Sequence, residues 1–144
     1  LKDWNIKNAG KQATKMTATT KNILNKIITT GQEEGLSHNE MVKELVKNIN
    51  GMTEQRASTI ARTETSKSIN TTSYETAKNV MKEKCWIHVG GKKTYRLHHK
   101  AISNKWVDID YKWKLKDGVE AEYPHQDSLP VSEVVRCSCL IIFR

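Results

Sequence analysis

The residues best suited to chemistry lie in two short segments. Arg96-Leu97-His98-His99-Lys100 gathers a guanidinium, two imidazoles and an ammonium, with Lys92 and Lys93 just ahead of it. A histidine can take or give a proton near neutral pH. Arginine and lysine can stabilise the charge that builds on a phosphate under attack. That is the toolkit of a metal-independent ribonuclease, with His99 and Arg96 as its catalytic pair. Without cleavage, Lys92, Lys93, Arg96, His98, His99 and Lys100 would form a nucleic-acid-binding surface. A third role for His99 is that of a buried, hydrogen-bonded structural residue.

The second segment holds Cys137 and Cys139. On a strand, thiolates two apart face the same way, so both could bind one Zn²⁺ with His99 as a further ligand. Cys85 and His125 are additional candidates. Structural zinc sites usually space their cysteines more widely, so the competing reading is plain core packing by small apolar side chains. A disulfide between the two is disfavoured, because alternate strand residues lie ~6.5–7 Å apart at Cα, at the limit of its reach. Three cysteines without a secretory signal fit a reducing compartment.

These groups need elements to position them. Ile6, Ala9, Ala13, Met16, Ile23 and Ile27 recur at helical spacing, which predicts an amphipathic helix over 2–30 that stops around Gly31 and Gly35. Ser37 and Glu40 form a capping box for the next helix, flanked by Leu36 and Met41 as a hydrophobic staple, and Gly51 ends it. Thr53 should cap a long helix reaching about Lys82. The middle of that helix is unusually polar, so it is either exposed or binds something. Arg62 paired with a distant acid would anchor it to the strands, which makes Arg62, Glu64 and Asn70 its structural polar residues.

After Lys84 the pattern turns to strands. Cys85–Val89 reads as one, Thr94–Leu97 as a short second and Lys105–Ile109 as a third. Lys114–Tyr123 centres on Asp117-Gly118, a strong hairpin signal. Pro124 and Pro130 frame a polar loop. Val135, Cys137, Cys139, Ile141 and Phe143 then alternate as the buried face of a last strand. Helices followed by strands predict an α+β fold, its amino-terminal helices, one of them long, packed on a small antiparallel sheet. Residues 1–50 would form a helical arm. Residues 51–144 would form the α+β domain, with the long helix over 53–82 and the sheet over 84–143.

Length and composition set the bounds. A chain of 144 residues can bury one core, but 37% hydrophobic content keeps that core modest. The chain opens at Leu1 rather than Met and reads as a fragment of a longer protein. No apolar run approaches the ~20 residues that cross a bilayer, so a soluble protein without membrane contact is expected. The formal charge of +8 favours polyanions, because phosphate contacts by Lys and Arg release condensed counterions. Basic residues concentrate between Lys84 and Lys105 and in the first thirty positions. Trp86, Tyr95, Trp106, Tyr111 and Trp113 lie in the basic half, where aromatics could stack bases or simply fill the core.

Several segments, in order, resemble one family. Arg56-Ala57, Ile60-Ala61-Arg62-Thr63-Glu64 and then Asn70 are similar to the helix of phage Mu F-like minor head proteins. Trp86 follows at about the expected distance. Arg96 and His99 match that family's Arg-x-x-His segment. Pro124, Pro130, Glu133 and the Cys137-x-Cys139 pair match its closing stretch. The resemblance covers roughly residues 53–142. Two positions depart from it: Gly91-Lys92-Lys93 where the family has an acid, and Ser138 where it has an arginine between the cysteines. The resemblance implies the carboxy-terminal domain of a minor capsid, or head morphogenesis, protein of a phage or prophage. Such a protein would associate with the portal and other capsid proteins, contact DNA, and reside in the virion or host cytoplasm. It implies no established catalysis, so a non-enzymatic role is expected, with the ribonuclease-like effector or toxin domain as the alternative. No cofactor is expected beyond the zinc that the cysteines could hold. A third class is a protein-interaction module, with the basic helix 2–30 docking on a partner.

Overall fold

The computed structural model describes residues 18–90 and 96–144. The expected positions in 1–17 and Gly91–Tyr95, Lys92 and Lys93 among them, lie outside the described residues. The chain divides into two compact units, Leu1–Thr65 and Ser66–Arg144.

The first unit is helical. Helix α1 (Ala18–Glu34) runs through Gly31 and ends at Gly35, whose φ of 69° is the left-handed turn a helix stop needs. Gly31 therefore serves packing and not termination. A Cβ there would meet Met41 Cε at 3.0 Å and Leu36 Cδ1 at 3.4 Å. Helix α2 (His38–Asn48) starts on the expected capping box: Glu40 N donates to Ser37 Oγ at 3.2 Å, and Ser37 N donates to Glu40 Oε2 at 2.7 Å. Helix α3 (Glu54–Ala77) is capped by Thr53, whose Oγ1 accepts from Arg56 N. It stops a turn short of the expected Lys82. Leu24, Ile28, Met41, Leu45, Ile49, Met52, Ala57, Ile60 and Ala61 form one apolar core of this unit.

The second unit builds a three-stranded antiparallel sheet in the order β2–β1–β5, with β1 (Glu83–Ile87), β2 (Trp106–Asp108) and β5 (Leu140–Phe143). Trp86 stands opposite Ile141 in the central pair. A hairpin of β3 (Trp113–Lys114) and β4 (Glu120–Ala121) turns at Asp117 and Gly118, both at positive φ, as the Asp-Gly signal requires. The architecture is α+β, as expected. Two sequence expectations change. Leu97–Ile102 is a short helix, α4, and not part of a strand. The last strand begins only at Leu140, and Val131–Val134 forms a short helix, α5, inside the expected loop and strand. The burial alternation at Cys137, Cys139 and Ile141 nevertheless holds. Arg136, at φ 59°, breaks the extended backbone that alternation alone predicts.

Lys84 is fully buried in the central strand. Its Nζ donates to the Glu122 carbonyl at 2.9 Å and lies 5.0–5.1 Å from the Trp113 and Tyr74 ring centroids. Burial pulls its pKa down to about 8, although the carboxylates of Glu122, Asp110 and Asp108 oppose the shift. Between pH 8 and 10.5 the unfolded chain then binds more protons at this group than the folded one, so folding stability should rise across that window. Lys84→Met should abolish the rise and match or exceed wild-type stability at pH 7, since an apolar side chain needs no desolvation. Urea denaturation of both proteins across pH 7–11 tests this; a loss of more than ~3 kcal/mol at pH 7 would show that the ammonium itself is required.

Candidate functional site

The short helix α4 and the segment ahead of β5 bring the expected chemistry together in the second unit. His98 and His99 are consecutive on α4, and both donate from Nε2 to the buried Glu133 carboxylate, at 2.8 and 2.5 Å to Oε2. Burial pushes the Glu133 pKa up, but the hydrogen bonds from the two histidines outweigh it and hold the carboxyl below its usual range. With Nε2 turned to Glu133, His99 directs its Nδ1 to the other side of the ring. That nitrogen faces Cys137 Sγ and Cys139 Sγ, both at 3.6 Å. His88, just after β1, brings its own Nδ1 to 3.5 Å from Cys139 Sγ. Its backbone N donates to Ser103 Oγ at 2.8 Å, which fixes the end of β1 against the end of α4.

All three cysteines are buried, and the pair at 137 and 139 is interdependent. Hydrogen bonding from Cys137 holds the Cys139 thiol well below its ordinary range. The same bond, then burial, raises Cys137. Trp86 packs edge-on against the His99 ring at 5.2 Å and against Trp113 at 5.3 Å.

A buried amide network fixes the cysteine segment. Asn70 on α3 donates from Nδ2 to the Cys139 carbonyl at 2.9 Å, and its Oδ1 accepts from Ile141 N at 3.1 Å. The same Nδ2 reaches His125 Nδ1 at 2.9 Å, and His125 Nε2 donates to the Cys137 carbonyl at 2.8 Å. Burial holds the His125 pKa down at about 4, so the ring is neutral at pH 7 and can accept on one side while donating on the other.

The expected site residues therefore divide. His99, Cys137 and Cys139 converge. Arg96 gives its Nε and Nη2 to the Ser132 and Val135 carbonyls, at 2.8 and 2.7 Å, and so holds the backbone leading to the cysteines. Lys100 is exposed on α4. His99 is only 1% exposed. Of the further ligand candidates, Cys85 contacts the Trp86 carbonyl and His125 is spent on Asn70 and Cys137. Trp86 and Trp113 are core residues and not stacking platforms. Trp106 lies under the Arg144 guanidinium at 4.3 Å, and Tyr111 is half exposed. Arg62 is exposed and Glu64 fully buried in the first unit, and Asn70 makes the buried contacts to the segment ahead of β5. Sequence reasoning does not single out His88; its position two residues past a buried Trp on a strand carries no distinctive signal. Glu133 is marked only by the resemblance.

The family model described as Phage Mu protein F like protein matches residues 21–141. The match takes in the α1 and α2 helices, well before the stretch from residue 53 that the resemblance covers. No curated protein and no solved structure matches the chain.

The amide network gives a direct contrast. Asn70→Ala leaves the Ile141 N–H and the Cys139 carbonyl unpaired in the interior and should cost about 3 kcal/mol of stability. Arg62→Ala, at an exposed position, should change stability by less than ~0.5 kcal/mol. Urea denaturation of both variants checks the pair, and equal effects would sink the assignment.

Proposed function

We infer the function from family: the chain belongs to the Phage Mu protein F like family and is a phage head-related protein, and on that premise its role is that of a minor head component seated near the portal, in contact with packaged DNA. The family match over residues 21–141 carries this reading. Charge supports the DNA contact. The chain carries +8, and Lys100, Lys105, Lys112, Lys114, Lys116 and Arg136 are exposed in the second unit. The portal and other capsid proteins are its proposed partners. No described helix is long and apolar enough to cross a membrane.

The role is non-enzymatic. A ribonuclease built on His99 and Arg96 would need both groups open to substrate. His99 is buried against Glu133 and the cysteines, and Arg96 holds two backbone carbonyls. The Zn²⁺ reading of the cysteines is independent of this role.

Two measurements test the proposal. Gradient-purified particles from a producing strain should contain the protein, and co-expression with the portal protein should yield a complex; absence from both would refute the placement. Binding to duplex DNA should weaken steeply with salt. Replacing Lys92, Lys93 and Lys100 together by alanine should lower the slope of log affinity against log salt by about three, roughly one for each lysine that neutralises a phosphate. Affinity that ignores salt would refute the DNA contact. RNA left intact by wild type and by a His99→Ala variant would agree with the non-enzymatic role.

A further inference from the structure

We propose that His88, His99, Cys137 and Cys139 together bind one structural Zn²⁺. Three of the donors, from His99, Cys137 and Cys139, sit close enough to share one ion, and His88 lies beside Cys139. With Zn–S near 2.3 Å and Zn–N near 2.0 Å, the sulfur-to-nitrogen edge of a tetrahedron is about 3.6 Å. The sulfur–nitrogen distances from His99 to the two cysteines and from His88 to Cys139 are 3.6, 3.6 and 3.5 Å. The ligand atoms of His99, Cys137 and Cys139 all lie within 4.8 Å of one another. His88 touches the cluster at Cys139 alone, and a small shift of its ring toward the other three would make it the fourth donor.

Hydrogen bonding accounts less well for the same geometry. The Nδ1 of His99 has a single lone pair, yet two sulfurs stand equidistant from it. Cys139 has a single S–H, yet two imidazole nitrogens face it. One cation at the centre uses each donor once.

The surroundings match a metal site in three further respects. Glu133 accepts a hydrogen bond from His99 Nε2 at 2.5 Å, which orients the ring and makes the opposite nitrogen a better ligand. The backbone N of Cys139 donates to Cys137 Sγ at 3.4 Å, a bond that stabilises a thiolate. Two thiolates and two neutral imidazoles leave a zinc cluster with no net charge, which suits a buried position. Soft sulfur with imidazole in a tetrahedral arrangement selects zinc over magnesium or calcium. Four protein donors close the coordination shell, so the ion would be structural and not catalytic. It would tie the end of β1, helix α4 and the segment before β5 into one cross-link.

The test uses the whole 144-residue chain. After zinc loading and gel filtration, elemental analysis should find one zinc per chain. Cobalt in its place should give the visible bands of a tetrahedral ion and near-ultraviolet thiolate charge transfer. Chelation should lower the melting temperature by more than ~5 °C. Cys85→Ser, outside the cluster, should keep the cobalt spectrum. Cys137→Ser and Cys139→Ser should each lose most of the thiolate band. Because these buried variants could fail to fold, His88→Gln provides a milder probe: it should retain the fold and shift the cobalt bands. No retained zinc and no cobalt spectrum from folded wild type would overturn the site. A cobalt spectrum unchanged in His88→Gln would overturn the fourth ligand.

Discussion

A backbone segment that leaves a sheet must still find partners for its N–H and C=O groups. Residues 135–139 are in that position: they lie ahead of β5, with no strand paired to them among the described residues. Side chains supply what the ladder does not. Arg96 takes the Ser132 and Val135 carbonyls, His125 the Cys137 carbonyl, and Asn70 the Cys139 carbonyl together with the Ile141 N–H. This replacement of strand pairing by buried side chains decides where the two thiols point. It also accounts for one polar residue in the middle of the long helix, Asn70.

The same constraint sorts the titratable groups. His125 must stay neutral to accept from Asn70 and donate to Cys137, and its burial keeps it so. Glu133 must stay ionised to hold two imidazoles, and their hydrogen bonds keep it so. Each group is held in one protonation state by the surroundings that need it. A cluster arranged this way orders backbone and ring orientation, which is the work of a scaffold. The burial of His99 and the engagement of Arg96 belong to the same picture. Arg96 holds two backbone carbonyls, and His99 is hydrogen-bonded to Glu133.

Much is legible along the chain because it depends on neighbours within a few residues. The Ser37–Glu40 capping box, the Thr53 cap and the Asp117-Gly118 turn are local devices, and each forms where the residue types predict. The burial alternation from Cys137 to Ile141 also survives. Where local signals mislead, a distant contact intervenes. Gly31 looks like a stop, but it is the point where Met41 and Leu36 approach the helix. Thr94–Leu97 reads as extended, yet from Leu97 the chain is helical, and that helix brings His98 and His99 to one carboxylate 35 and 34 residues away.

Sequence by itself therefore determined the order of helices and strands, the α+β class, the basic character and the resemblance that the family match bore out, because periodicity, caps, turns and composition act over short range. It also pointed to His99, Cys137 and Cys139 as a group. Only the tertiary structure decided that Glu133 braces His99, that His88 lies beside Cys139, and that Asn70 pins the segment ahead of β5. Those assignments rest on contacts between residues 34 to 71 positions apart. No spacing rule encodes them, since they exist only once the sheet has set which segments meet.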